Sequence, residues 1–417
     1  MSGVWTAALA SVLLLVACGA PRVTPEKQGV SVPFGPCGRG LLVVESDYQS
    51  SNLSALSFEG SVLSESLVSS STAFGGIGVA LSGDAALPAA AQFGNRVTII
   101  DRYPAGVLRF VDLGSAQVAS ELPVGTGFPA NPQDYLELSE HKAYVARYER
   151  NPHPGRQLWD GGGDLLIIDP SVPAITGRVD LQSAMAGAAP QFSPHPGQLL
   201  LVDGRVFAVL AAYSDDYRSA TTSRLVEIDP VRDEVVATVE VTGLERCSSL
   251  AISPDHLELA LACTGDALQS GMPSLAGSGL AVFDITGAPR LRTRFDAADL
   301  GPDPLSFSLA YAAPRVVLLE TFGHLQASGA VGALDNLLRL DTSTGHADSL
   351  LTSESEPFTL GAIACLPSCG QCFVADAERA GGSVLGFTVD GEGTLGPPSA
   401  RQAEHRIGLP PRYLSVF

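Results

Sequence analysis

The sequence predicts an all-β fold, a seven-bladed β-propeller of four-stranded antiparallel blades. Three observations predict it. One unit recurs: in RLVEIDPVRDEVVATVEVTG, 224–243, a strand ends in Ile-Asp-Pro, turns tightly and returns as an alternating strand. Its turn acid recurs at Glu59, Asp112, Asp169, Asp229, Asp284, Asp341 and Asp390, at intervals of 49 to 60 residues. Seven copies of one β-unit at that period predict a propeller. Finally, the first unit lacks an innermost strand, and PPRYLSVF, 410–417, has the shape of one. The C-terminal strand is therefore expected to join the first blade and close the ring, which removes open sheet edges.

Sparse charge, 17% of residues, and abundant aliphatic side chains suit a β-rich body with a large apolar core. A net charge of −19 argues against nucleic acid, because phosphate binding needs clustered Lys and Arg. It also disfavours docking of the body on anionic lipid.

The chain opens with an apolar segment, 1–17, too short to span a bilayer as a helix. Leu15-Val16-Ala17-Cys18 resembles the lipobox of bacterial lipoproteins, which implies cleavage before Cys18 and lipid attachment to it. The segment lacks Lys or Arg before its apolar run, a departure from the usual export signal. Residues 18–39 read as a Pro-containing tether with no apolar periodicity, and the propeller as 40–417. The tether could extend on the order of 50 Å.

Within the units, strands are lettered A to D from the axis outward. Unit three reads DYLELSE, KAYVARYE, GDLLIIDP and ITGRVDL; unit five reads CSSLAISP, LELALAC, GLAVFDI and PRLRTRF. In unit two GIGVALSGD is expected as strand A, followed by VTIID, VLRFVDL and AQVASELPV. Unit seven ends in a weak last strand.

SPDHLELALAC and LVEIDPVRDEVVATVEVTG resemble YVTN-type β-propeller repeats, a pattern shared with lactonase-like seven-bladed propellers. That resemblance implies the fold; a propeller hosts many unrelated activities, so it implies little about function.

After Cys18, six Cys remain, an even number that suits disulfides in an exported chain. Cys247 and Cys263 sit equidistant from one hairpin turn, and so do Cys365 and Cys372. Cross-strand pairs of this kind meet disulfide distances. Cys37 is left with Cys369, and both are expected on one face of neighbouring blades. The competing reading is metal at Cys365, Cys369 and Cys372, but no second half of a four-ligand site is present.

No G-x-S-x-G, H-E-x-x-H, P-loop or helix-opening G-x-G-x-x-G occurs. None of the seven His is four residues from another, and no catalytic residue is assigned. The recurring Asp is expected to cap its own turn by accepting backbone N–H bonds.

The B-to-C connections of units three to six are long and share one face with the D-to-A links. Long loops on a rigid scaffold are where function concentrates. Tyr148, His153, Trp159, Asp160, Tyr213, Asp215, Asp216 and Tyr217 gather there as a candidate ligand face, against the plainer reading of solvated loop decoration. Asp215 and Asp216 could hold Ca²⁺ with loop carbonyls, though two carboxylates alone do not define such a site. No cofactor is otherwise expected. The resulting expectation is a monomeric cell-envelope lipoprotein, on the periplasmic or surface side. Its propeller would be a non-catalytic binding or scaffold module for a protein or envelope ligand. A lactonase-like enzyme with its site on the long-loop face, or a purely structural surface protein, are the alternatives.

Overall fold

The computed structural model describes residues 29–71, 80–267, 273–403 and 406–417. Seven four-stranded antiparallel sheets follow one another around an axis, so the predicted propeller is the observed fold. Blade 1 takes its inner strand from Pro411–Val416 and its others from Leu41–Ser46, Ser51–Leu56 and Val62–Ser69. Leu41 faces Val416 and Val43 faces Leu414, so the C-terminal strand closes the ring as expected.

Blade 3 holds Pro132–Ser139, Lys142–Arg150, Gly162–Asp169 and Ala174–Val179, the strands read from the sequence. In blade 7 the last strand is the short Ser399–Arg401. Blade 2 departs from expectation. Its strand A is only Ala85–Ala86, paired with Asp101 and Ile100. Residues 80–84 of the expected strand are not β, and 72–79 lie outside the described residues. Their polar turn is diverted to neighbours: the Gly83 carbonyl accepts from Ser46 Oγ at 2.7 Å, and the Ser82 N–H reaches Asp101 Oδ1 at 3.3 Å.

The recurring Asp does cap its turn. Asp169, Asp229, Asp284 and Asp341 each accept the N–H two residues on, at 2.8–2.9 Å. Hydroxyl and amide donors hold these carboxyls below the usual range. Near the axis, neighbouring A strands come so close that only glycine fits at Gly197, where a Cβ would meet the Ser248 carbonyl at 2.4 Å.

All three expected disulfides are present: Cys37–Cys369, Cys247–Cys263 and Cys365–Cys372. The last two join residues directly opposite in their hairpins. Cys369 ends the A-to-B turn of blade 7, which places Cys37 on the short-turn face. Packing begins earlier than Gly40. Val30 is buried, and its N–H donates to the Leu113 carbonyl at 2.7 Å in the C-to-D turn of blade 2. Cys18 and the lipobox lie outside the described residues. No helix among the described residues is long and apolar enough to cross a membrane.

The seams between blades are apolar in the middle and polar toward the long-loop end. In the seam of blades 2 and 3, Arg147 extends the face of Val145 and forms a two-armed pair with Asp164 at 2.8 and 2.7 Å. Both side chains are fully buried. In the seam of blades 6 and 7, strand alternation places Glu320 beyond Leu318 and Asp376 beyond Val374, on facing walls. Glu320 Oε2 accepts from Ser306 Oγ at 3.2 Å, while Oε1 has no hydrogen-bond partner. Burial, with Asp335 and Asp376 nearby, pushes the Glu320 carboxyl well above the usual range.

Candidate functional site

The B-to-C loop of blade 3 is built on Arg147. Its guanidinium donates to the Trp159 carbonyl at 2.6 Å and to Thr126 Oγ1 at 2.6 Å, as well as to Asp164. This fixes Trp159 in the left-handed region, φ 56°, with its ring against the blade 2–3 seam. Asp160 is turned inward on its own loop, accepting the N–H groups of Gly155, Arg156 and Gln157 at 2.8–3.0 Å. Those donors hold its carboxyl below the usual range. Asp160 is thus a loop-forming residue. His153 stays exposed at the loop tip.

Four of the expected residues come together. Tyr148 lies in strand B of blade 3, and Tyr213, Asp215 and Tyr217 in the B-to-C loop of blade 4. The Tyr148 and Tyr217 rings are parallel within 9°. His195, from the link between blades 3 and 4, lies 4.8 Å from Tyr148 and 5.2 Å from Tyr217. Tyr213 packs against Tyr217 at 5.4 Å, and the Arg246 guanidinium covers Tyr213 at 5.2 Å. Arg246 pairs with Asp266, and the Tyr217 hydroxyl donates to Glu149. Burial lowers the His195 imidazole to about 4, opposed by Asp215, so it is neutral at pH 7.

Ser193, His195 and Asp215 hold the makings of a hydrolytic relay in the wrong order. Ser193 Oγ donates to Asp215 Oδ1 at 2.9 Å and lies 3.0 Å from His195 Nε2. With its one proton given to the carboxylate, the hydroxyl can only accept from Nε2. Nε2, the ring nitrogen that faces Ser193, then has no lone pair to take the serine proton, which a Ser–His pair requires.

The Asp215–Asp216 pair is divided between partners. Asp215 meets Ser193 and, at 3.7 Å, Arg150; Asp216 accepts from Ser214 Oγ at 2.7 Å and the Arg218 N–H at 3.2 Å. Among the described residues no three His, Cys, Asp or Glu side chains converge as for a metal ion.

A second aromatic run on the same face was not read from the sequence. Phe307 begins strand A of blade 6, Phe322 follows its strand B, and Phe358 lies in the link to blade 7. Phe322 touches Phe307 at 5.2 Å and Phe358 at 5.7 Å between ring centroids. Arg412 donates to the Phe358 carbonyl at 2.9 Å and covers the Tyr48 ring at 5.3 Å. Tyr48, Phe307 and Phe358 are exposed. Tyr48, Trp159, His195, Tyr217, Arg246 and Phe358 all sit at positive φ, a costly conformation for such side chains. Adjacent polar residues could have flagged Tyr48 and Phe358 as loop residues; only the closed ring brings them beside Phe307.

No family model matches the chain, and no curated protein does. Solved structures do. The periplasmic gluconolactonase PpgL of Pseudomonas aeruginosa is 16% identical, with 90% of this chain and 98% of that one covered and a TM-score of 0.52. A putative 6-phosphogluconolactonase from Bacteroides fragilis is 10% identical over 92% and 99%, with a TM-score of 0.52. The Cps50 (Swd1) propeller domain of Myceliophteria thermophila is 13% identical over 84% and 94%, again with a TM-score of 0.52. At these identities the likeness is one of fold. The neighbours are not of one function, and they include lactonases alongside other propellers.

Proposed function

We propose that this protein is a cell-envelope lipoprotein whose propeller is a non-catalytic binding module, engaging a partner through the long-loop face. The observation that carries the reading is the exposed aromatic run Tyr48, Phe358 and Phe307, joined through Arg412 and Phe322. Exposed aromatics clustered on rigid elements are typical of interaction sites, where they give large contact area with little ordering cost. The lipid at Cys18 and the Cys37–Cys369 bond belong to the opposite face in this reading, so the aromatic face points away from the membrane. The lactonase alternative has less support, because Ser193 has its proton committed to Asp215 and not to His195.

The test has two parts. Cys18→Ala should move the protein from the detergent phase to the aqueous phase. Chemical cross-linking in whole envelopes should trap adducts that disappear when Tyr48, Phe307 and Phe358 are changed together to Ala. Adducts unchanged in that variant would sink the aromatic-face reading. Turnover of sugar lactones abolished by Ser193→Ala would replace it with the enzymatic one.

A further inference from the structure

We infer that the short-turn face is a membrane-contact surface, resting its exposed apolar side chains in the headgroup region of the bilayer that holds Cys18. The inference rests on the anchoring reading above and adds a second point of attachment to it.

The first argument is chain length. Val30 is buried against the C-to-D turn of blade 2, which holds the chain to the body from Gly29 on. Only ten residues, 19–28, lie between it and Cys18. Fully extended, that stretch reaches about 40 Å at most. The lipid is therefore kept close to one face, and Gly29 is fixed beside one sector of it: a Cβ there would meet the Gly114 carbonyl at 1.8 Å.

The second argument is what surrounds that exit. Phe34 and Phe93 are 52% and 60% exposed and packed edge to face at 5.4 Å. Phe93 borders a cleft of about 690 Å³ that reaches Tyr135, Leu138 and, at its far side, Ser171. Next to Ser171 stands Val172, 65% exposed, and in the following blade Val231 is 88% exposed. The turns that carry them are tied to the neighbouring blades: Arg96 donates to the Pro170 carbonyl at 2.9 Å, and Lys142 to the Pro230 carbonyl at 2.7 Å. Their polar groups are occupied, and the valines are held outward.

The third argument is confinement. The corresponding turn tips of blades 5 and 6 carry Thr286-Gly287 and Ser343-Thr344, polar or small residues that suit water. The exposed apolar side chains of this face run from Phe93 in blade 2 through Val172 and Val231 to Leu257 in the A-to-B turn of blade 5, a run of adjacent blades that starts at the exit. A single exposed valine is ordinary, but a run of exposed apolar side chains on one face marks a surface that meets something apolar. Given the net charge of −19, the contact is apolar insertion among zwitterionic headgroups and owes nothing to anionic lipid.

The experiment uses the full lipidated chain in phosphatidylcholine–phosphatidylethanolamine vesicles with brominated acyl chains. Trp159 is the lone Trp after Cys18 and lies on the opposite face. Side chains at the headgroup–acyl boundary lie about 5–10 Å deep, so the emission of an F93W/W159F variant should fall about twofold, while Trp159 of the natural chain is not quenched. Vesicle-bound protein with an unquenched F93W indole overturns the inference and leaves anchoring standing. Equal quenching at both positions shows a body tumbling on its tether and overturns it too. A chain that does not associate with vesicles removes the anchoring reading and this inference with it. A detergent-solution dimer abolished by F34S/F93S would give the patch to a second copy, which also overturns it.

Discussion

The seam between blades 2 and 3 and the seam between blades 6 and 7 occupy equivalent places in the ring and handle buried charge in opposite ways. In the first, Asp164 meets Arg147 in a closed, two-armed pair whose spare donors hold Trp159 and Thr126. In the second, Glu320 and Asp376 stand on facing walls, and among the described residues no fully buried arginine lies between them; the half-buried Arg379 lies 3.5 Å from Asp376. An ionised carboxylate without a partner is costly in such a place, and the carboxyl responds by holding its proton. Of these two seams, one is locked by charge and the other carries a charge that depends on pH.

Both seams presuppose a closed ring, so the largest expected effect comes from opening it. Deleting 410–417 removes the inner strand of blade 1 and should abolish cooperative unfolding in calorimetry. A retained, sharp transition would mean that neither seam needs closure. Next, Arg147→Met should strand the Asp164 carboxylate and cost about 3–5 kcal/mol in urea unfolding. Adding Asp164→Asn to that variant should restore much of the loss; no recovery would show that Arg147 acts by packing alone.

A smaller effect is expected at the other seam. Glu320 has a raised folded pKa, so its contribution is fully present below about 4.3, the unfolded value, and is lost as pH rises through the folded pKa. Glu320→Gln should therefore match the natural protein at pH 4 and exceed it in denaturation midpoint at pH 8. A variant weaker at pH 8 would place a stabilising ionised carboxylate there and break the contrast.

The smallest effect belongs to His195, in the seam between these two regions. Its folded value, about 4, is below its unfolded one, so its contribution is complete above about pH 6.5 and is lost as pH falls toward 4. His195→Gln should flatten the stability profile there by at most about 1.4 kcal/mol per pH unit. Burial also raises Asp134 to about 7 against three amide donors, which slopes the same window the other way. Profiles of His195→Gln and Asp134→Asn should accordingly diverge in opposite directions from the natural one.

Local pattern carried most of the fold. Alternation and the Ile-Asp turn exposed the strands, and hairpin register paired Cys247 with Cys263 and Cys365 with Cys372. Strand A of blade 2 differs from expectation because Ala85–Ala86 is too short for any alternation, while GIGVALSGD offers a false one. The site was half legible. Tyr148, Tyr213, Asp215 and Tyr217 are near in sequence or in adjacent blades, and they do converge. His195 and Arg246 join them only through blade packing, and the separate Phe307–Phe358 run forms in the same way. Arg147 was hidden for another reason: a charged residue inside KAYVARYE reads as a solvent position, yet it faces a sealed seam.

The Cys37–Cys369 bond also decides how the molecule answers a pull. Tension arriving from Gly29 would first strip Val30 from Leu113 and the core beside it, then part Phe34 from Phe93. It would then reach Cys37 and pass covalently into blade 7, 332 residues further along the chain. The strand Leu41–Ser46, which borders the closing strand, lies beyond that point and is spared the peeling force. Under mechanical load the ring is clamped shut, and a reductant would convert the same tether into a rip cord.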